Sequence, residues 1–106
     1  MSKEIKYDKL VRDKVPQIIE NAGKEYTIHI ADDSEYIKKL LAKVEEELAE
    51  FKENPSVEEM ADIFEVLDGL ISYYHLDYDE IKAVKREKKE KRGGFEDRLI
   101  LEKVKE

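Results

Sequence analysis

Residues 45–62 read EEELAEFKENPSVEEMAD, with eight acidic side chains in eighteen positions. Two apolar helical patterns enter this stretch from either side, and Pro55 separates them. Upstream, Ile37, Leu40, Leu41, Val44, Leu48 and Phe51 recur at helical spacing, and Asp32 followed by Glu35 is a capping-box start. Downstream, Ser56 followed by Glu59 is a second start, and Met60, Ile63, Phe64, Leu67, Leu70, Ile71 and Tyr74 form a matching stripe. A connection of only a few residues makes the two helices antiparallel neighbours.

The rest of the chain adds less regular pieces. Leu10, Val11, Val15, Ile18 and Ile19 lead to a short predicted helix at 16–22, with Pro16 in its first turn and Gly23 as its stop. TIHIA (27–31) alternates in the manner of a short extended segment. Asp77 and Glu80 open a third, sparsely apolar helix that ends at Gly93-Gly94. The tail FEDRLILEKVKE has apolar residues to pack on the bundle or to pair with TIHIA. The expected fold is an all-α antiparallel helical bundle in one domain, 1–106, with a short extended segment near 27–31.

Charged residues make up 44% of the 106, and the formal net charge is -7, which disfavours nucleic acid or an acidic membrane as the primary partner. The chain has no cysteine, so disulfides, thiolate metal sites and a cysteine nucleophile are excluded. No apolar run reaches the length of a membrane span, and MSKEIKYDKL lacks a signal-peptide core. A cytoplasmic protein is the expectation.

Helical geometry sorts the acids. At about 100° per residue from Ile37, Glu47 falls at about 280° and Glu50 at about 220°; counted from Met60, Glu59 falls at about 260° and Asp62 at about 200°. The two-fold axis that relates antiparallel helices keeps one flank on one side, so both pairs point the same way. In such a hairpin, residues at one level share a constant sum of residue numbers. Glu47 with Asp62 and Glu50 with Glu59 give the same sum. Four converging carboxylates repel one another unless a cation sits among them, and hard oxygen ligands suit Mg²⁺ or Mn²⁺. A di-iron site would need Glu-x-x-His elements, and neither His29 nor His75 stands in one. From the residues alone, a metal site and a solvated acidic face, with Glu47 and Glu50 answering Lys43 and Lys39, stay equally open.

EELAE (46–50) followed by EEMADIFEVL (58–67) resembles the paired E-x-x-E and E-x-x-D motifs of the all-α nucleoside triphosphate pyrophosphohydrolases. KLVRDKVPQII (9–19) and KEKRGGFEDRLIL (89–101) look like the MazG-like group often labelled phosphoribosyl-ATP pyrophosphohydrolase-like. The blocks span nearly the whole chain in the expected order. One departure is the gap of eight residues between Glu50 and Glu59, shorter than usual between these motifs.

The resemblance implies Mg²⁺-dependent hydrolysis between the α and β phosphates of a nucleotide, with Mn²⁺ as substitute. It implies Glu47, Glu50, Glu59 and Asp62 as metal ligands, and Glu46 as a candidate for orienting water. Arg12 and Lys14 are candidate phosphate contacts, set against surface pairs with Asp8 or Asp13. Arg92 beside Gly93-Gly94 is another, set against simple charge compensation at a helix end. A homo-oligomer, dimer or tetramer, is implied as well. Rival readings are hydrolysis of phosphoribosyl-ATP or another nucleotide-like pyrophosphate, and a non-catalytic helical assembly module.

Overall fold

Asp32 and Ser56 start the two long helices of the computed structural model, which describes residues 3–105. Four helices are present among the described residues: α1 (Val15–Asn21), α2 (Asp33–Glu53), α3 (Val57–Tyr73) and α4 (Tyr78–Arg92). The described residues contain no strand, so the class is all-α. No helix among them is long and apolar enough to cross a membrane.

The caps act through side-chain oxygens. Asp32 Oδ1 accepts from the Glu35 amide at 2.8 Å, and Ser56 Oγ accepts from the Glu59 amide at 3.2 Å. Neither glutamate completes a reciprocal box. The Glu35 carboxylate meets His29 Nε2 at 2.8 Å, and the Glu59 carboxylate turns toward the other helix. Asp77 caps α4 by accepting from the amides of Asp79 and Glu80.

Two helices stop in the same way. After α1, Gly23 adopts φ 76°; the amides of Gly23 and Lys24 donate to the carbonyls of Glu20 and Ile19. After α3, His75 takes the equivalent left-handed position at φ 54°, with the amides of His75 and Leu76 donating to Ser72 and Ile71. Glycine is the unstrained choice there, so His75 carries a local backbone cost.

The core lies between α2 and α3, the principal helix pair in contact. Leu40 (3% exposed) and Ile63 (7%) are its most buried apolar residues. The antiparallel register holds along the length of the hairpin. Tyr36 meets Tyr73 edge-on with centroids 5.5 Å apart, and Leu40 Cδ2 would lie 3.1 Å from a Cβ added at Gly69. Both pairs share the sum of residue numbers that aligns Glu50 with Glu59. Gly69 therefore lets α3 approach the most buried leucine. Gly69→Val is expected to destabilise the chain by about 1–3 kcal/mol, the usual cost of overpacking a core, measurable as a lower urea midpoint.

The helices face one another through a flank of each stripe. Ile37, Val44 and Phe51 are half-buried beside Leu40, whereas Leu41 and Leu48 lie exposed on the outer side of α2. On α3, Val66 and Leu70 turn inward with Ile63, and Met60, Phe64 and Leu67 stay exposed. The stripes are wider than one helix–helix contact, so an apolar strip remains on the side of the hairpin away from the acids.

Two expectations are corrected. TIHIA (27–31) forms no strand, and Ile30 is 95% exposed. A lone five-residue segment has no neighbour for its backbone groups and so gains nothing from extension. The tail neither packs on the bundle nor pairs with TIHIA: Phe95 is 97% exposed, and Leu99, Ile100 and Leu101 are exposed beside it.

Candidate metal centre

The last turns of α2 and the first turn of α3 flank the short Asn54–Ser56 connection. Carboxylate oxygens from Glu47, Glu50 and Glu59 come within 4.8 Å of one another there. Glu47 and Glu50 lie one turn apart on α2, and Glu59 enters from the facing helix at the level of Glu50.

The three are not equivalent. Glu47 is 6% exposed, in the seam itself rather than at its border, about two turns beyond Leu40. Its Oε2 is buried without a hydrogen-bond partner, and so is Oε2 of Glu59. A buried carboxylate oxygen without a donor is costly, so this arrangement disfavours the metal-free anion. Lys43 Nζ, 3.7 Å from Glu47 Oε1, compensates only in part.

Protonation reflects the crowding. Burial pushes the Glu47 carboxyl above its usual range, and the charges of Glu50 and Asp62 push the same way. Glu59 is raised by desolvation first, then by Glu50 and Asp62. Both groups hold a proton more readily than an ordinary glutamate, as expected where a cation would otherwise supply the missing charge.

The other sequence-predicted residues fall around this cluster. Asp62 lies on the same flank, outside the three-carboxylate group, with its Oδ1 accepting from Arg12 Nη2 at 2.8 Å. Glu46 is bridged by Lys9 Nζ at 2.8 Å and Lys43 Nζ at 3.3 Å. The hydrogen bond from Lys9 is the main cause that lowers the Glu46 carboxyl and keeps it anionic. Lys14 stands at the N-cap of α1 and lines a cavity of about 400 Å³ with Arg12, Lys43, Glu47, Asp62 and Leu40. Arg92 is the last residue of α4, beside Gly93 at φ 82°, on an exposed helix that does not bring it into the cluster.

Lys9 is the residue that the sequence did not point to, whereas Lys43, set against Glu47 there, does meet it and reaches Glu46 as well. Lys43 stands one turn before Glu46 and Glu47, a spacing that predicts its contacts. Lys9 gave no such signal, because its partner is distant in sequence.

The donor set is all oxygen, drawn from two helices, and the cavity lined by Arg12, Lys14 and Asp62 adjoins it at Glu47. It fits a hard divalent cation such as Mg²⁺ or Mn²⁺. No family model, curated protein or solved structure gave a match to this chain.

Proposed function

We propose that this chain is a Mg²⁺-dependent nucleotide pyrophosphohydrolase of the MazG-like type, adding water across the α–β phosphoanhydride to give a nucleoside monophosphate and pyrophosphate. The observation that carries this reading is the buried, unpaired Oε2 of Glu47 beside the carboxylates of Glu50 and Glu59. A solvated acidic face has no need to bury a glutamate without a donor. The paired motifs and the N-terminal KLVRDKVPQII block give the reading its chemistry.

Glu47, Glu50 and Glu59 would hold the ion, with Asp62 next to them. When bound, Mg²⁺ neutralises phosphate oxygens and favours ionisation of the attacking water. Glu46, kept anionic by Lys9 and Lys43, is suited to orient a water through an accepted hydrogen bond rather than to retain its proton. Arg12 and Lys14 line the adjoining cavity, where a guanidinium and an ammonium meet phosphate oxygens. Arg92 would join them only from another copy or after movement of α4. The centre uses carboxylates alone, so Mn²⁺ is the natural substitute.

The test is a screen of common and damaged nucleoside triphosphates, together with phosphoribosyl-ATP, with Mg²⁺ and with Mn²⁺, reading monophosphate and pyrophosphate. Metal-dependent release of both products supports the proposal. Release of orthophosphate, or no turnover of any substrate, overturns it. The second result would favour the assembly-module reading, which the exposed strip of Leu41, Leu48, Met60, Phe64 and Leu67 supports independently.

A further inference from the structure

Residues 8–14 form a strap across the acidic side of the hairpin, tied to both long helices. Lys39 of α2 donates to the Asp8 carbonyl, and Lys9 holds Glu46 of α2. On α3, Arg12 Nη2 donates to Asp62 Oδ1 at 2.8 Å, and its Nη1 lies 3.8 Å from Glu65 Oε1. The strap thus brings two cations to the flank where the hairpin gathers its acids. Its interaction with Asp62 is the informative one. Hairpin register sets Asp62 level with Glu47, yet Asp62 faces a guanidinium while Glu47, more than nine-tenths buried, has an oxygen without any donor.

We propose that Arg12 is a displaceable counter-ion. In the metal-free chain it neutralises Asp62; when the divalent cation and a nucleotide arrive, Asp62 turns to the cation and the guanidinium passes to the phosphate oxygens. This inference rests on the metal centre proposed above and adds an order of events to it. Arg12 and Asp62 are both substantially exposed, so their pair is weak and cheap to exchange. Both ends of the exchange adjoin the same cavity, lined by Arg12 and Asp62 together. A planar guanidinium offers two parallel donors, which fit a carboxylate and a phosphate alike. The exchange balances: an Arg–Asp pair, a hydrated cation and a solvated nucleotide phosphate become an Asp–cation contact and an Arg–phosphate contact, with water released from the cation and the phosphate.

A counter-ion of this kind competes with the metal and assists the nucleotide, so its removal must change the two affinities in opposite directions. The full chain is titrated with Mn²⁺ alone, followed by electron paramagnetic resonance of the free ion. It is then titrated with a non-hydrolysable α,β-methylene nucleoside triphosphate at saturating Mg²⁺. Arg12→Gln is expected to tighten Mn²⁺ about twofold to fivefold, the value of an exposed ion pair. The same variant is expected to weaken the analogue about tenfold or more, the value of a hydrogen bond to a charged group. The gain in Mn²⁺ affinity should vanish in an Asp62→Asn background, which separates the specific contact from a general change in field. Arg12→Lys should restore wild-type Mn²⁺ affinity without restoring full affinity for the analogue. Circular dichroism melts check that each variant is folded.

Unchanged or weaker Mn²⁺ binding by a folded Arg12→Gln chain overturns the exchange. So does a gain of the same size with Asp62→Asn present. If wild-type chain binds Mn²⁺ but Arg12→Gln behaves like it, the exchange fails and the metal centre stands. If wild-type chain binds no Mn²⁺, the metal centre fails and the exchange with it.

Discussion

Glu47→Gln is expected to abolish divalent-cation binding while making the metal-free chain harder to unfold. The two effects come from one carboxylate. As a proposed ligand, Glu47 would supply an oxygen from the most buried residue of the cluster, and its loss is expected to weaken Mn²⁺ by at least about 100-fold, the upper range for changes outside the first ligand sphere. As an anion without a cation, it sits against Glu50 and Asp62 with one oxygen unpaired. Removing the charge relieves that repulsion. Glu50→Gln is the complementary variant: Glu50 is exposed, so pyrophosphate release should fall with the fold intact. Isothermal titration with Mn²⁺ and thermal melts in EDTA measure the two sides. Unchanged metal affinity in both variants would remove the centre.

The same groups set the pH dependence of the metal-free chain. Glu47 and Glu59 have raised folded-state values, so their favourable contribution is present below the ordinary 4.5 and is lost as pH rises through the raised values. Glu46 is lowered, so its contribution is present above 4.5 and is lost as pH falls through the lowered value. For these three groups, stability in EDTA therefore peaks in mild acid. Saturating Mg²⁺ is expected to reverse the Glu47 and Glu59 effect, because an ion held by them would bind their deprotonated forms. The melting point should then rise toward neutral pH. A chain equally stable with EDTA and with Mg²⁺ at neutral pH would contradict the assignment.

The second large effect concerns assembly. An isolated chain of this mass that folds compactly exposes about 6,200 Å², whereas this one exposes 10648 Å². Its radius of gyration is 19.0 Å, against about 13 Å for a compact domain of this length. Leu41, Leu48, Met60, Phe64 and Leu67 form the uncovered strip on the hairpin, and the tail adds Phe95 and Leu99–Leu101. The expected species is a homo-oligomer joined through the strip, with a mass at least twice the 12.5 kDa of the chain. Leu48→Glu with Phe64→Glu is expected to convert it to monomer, because both positions are exposed on the strip whereas Leu40 and Ile63 are the most buried core residues. Light scattering reads both outcomes. A wild-type monomer at working concentration with full activity would remove the interface.

The hairpin was legible because its signals are local and mutually consistent. Two oxygen-bearing caps, two stripes and a three-residue connection fix two helices and their register. That register aligns Tyr36 with Tyr73 and Leu40 with Gly69 as well as Glu50 with Glu59. The rotation of the helices was harder to read. Periodicity finds the middle of an apolar stripe, but the partner helix selects only part of it, so Glu47 lies deeper than its angle implied and Leu48 lies outside. Lys9 and the strap were not legible, since their partners are tens of residues away and no periodicity links them. TIHIA and the tail misled for a related reason: a strand-like or apolar segment forms nothing without a surface to receive it.

The Asn54–Ser56 connection has one more consequence. Three carboxylates gathered across so short a turn need only a small loop to close, and loop closure is the chief entropic cost of bringing distant groups together. The centre therefore belongs to the part of the chain that organises most cheaply and with the most local contacts. The strap's ties reach across 31 to 50 residues, so contact separation sets its closure after this corner forms. A cation captured at that stage would act as a template for the hairpin, and the N-terminal residues would close over a site that already exists.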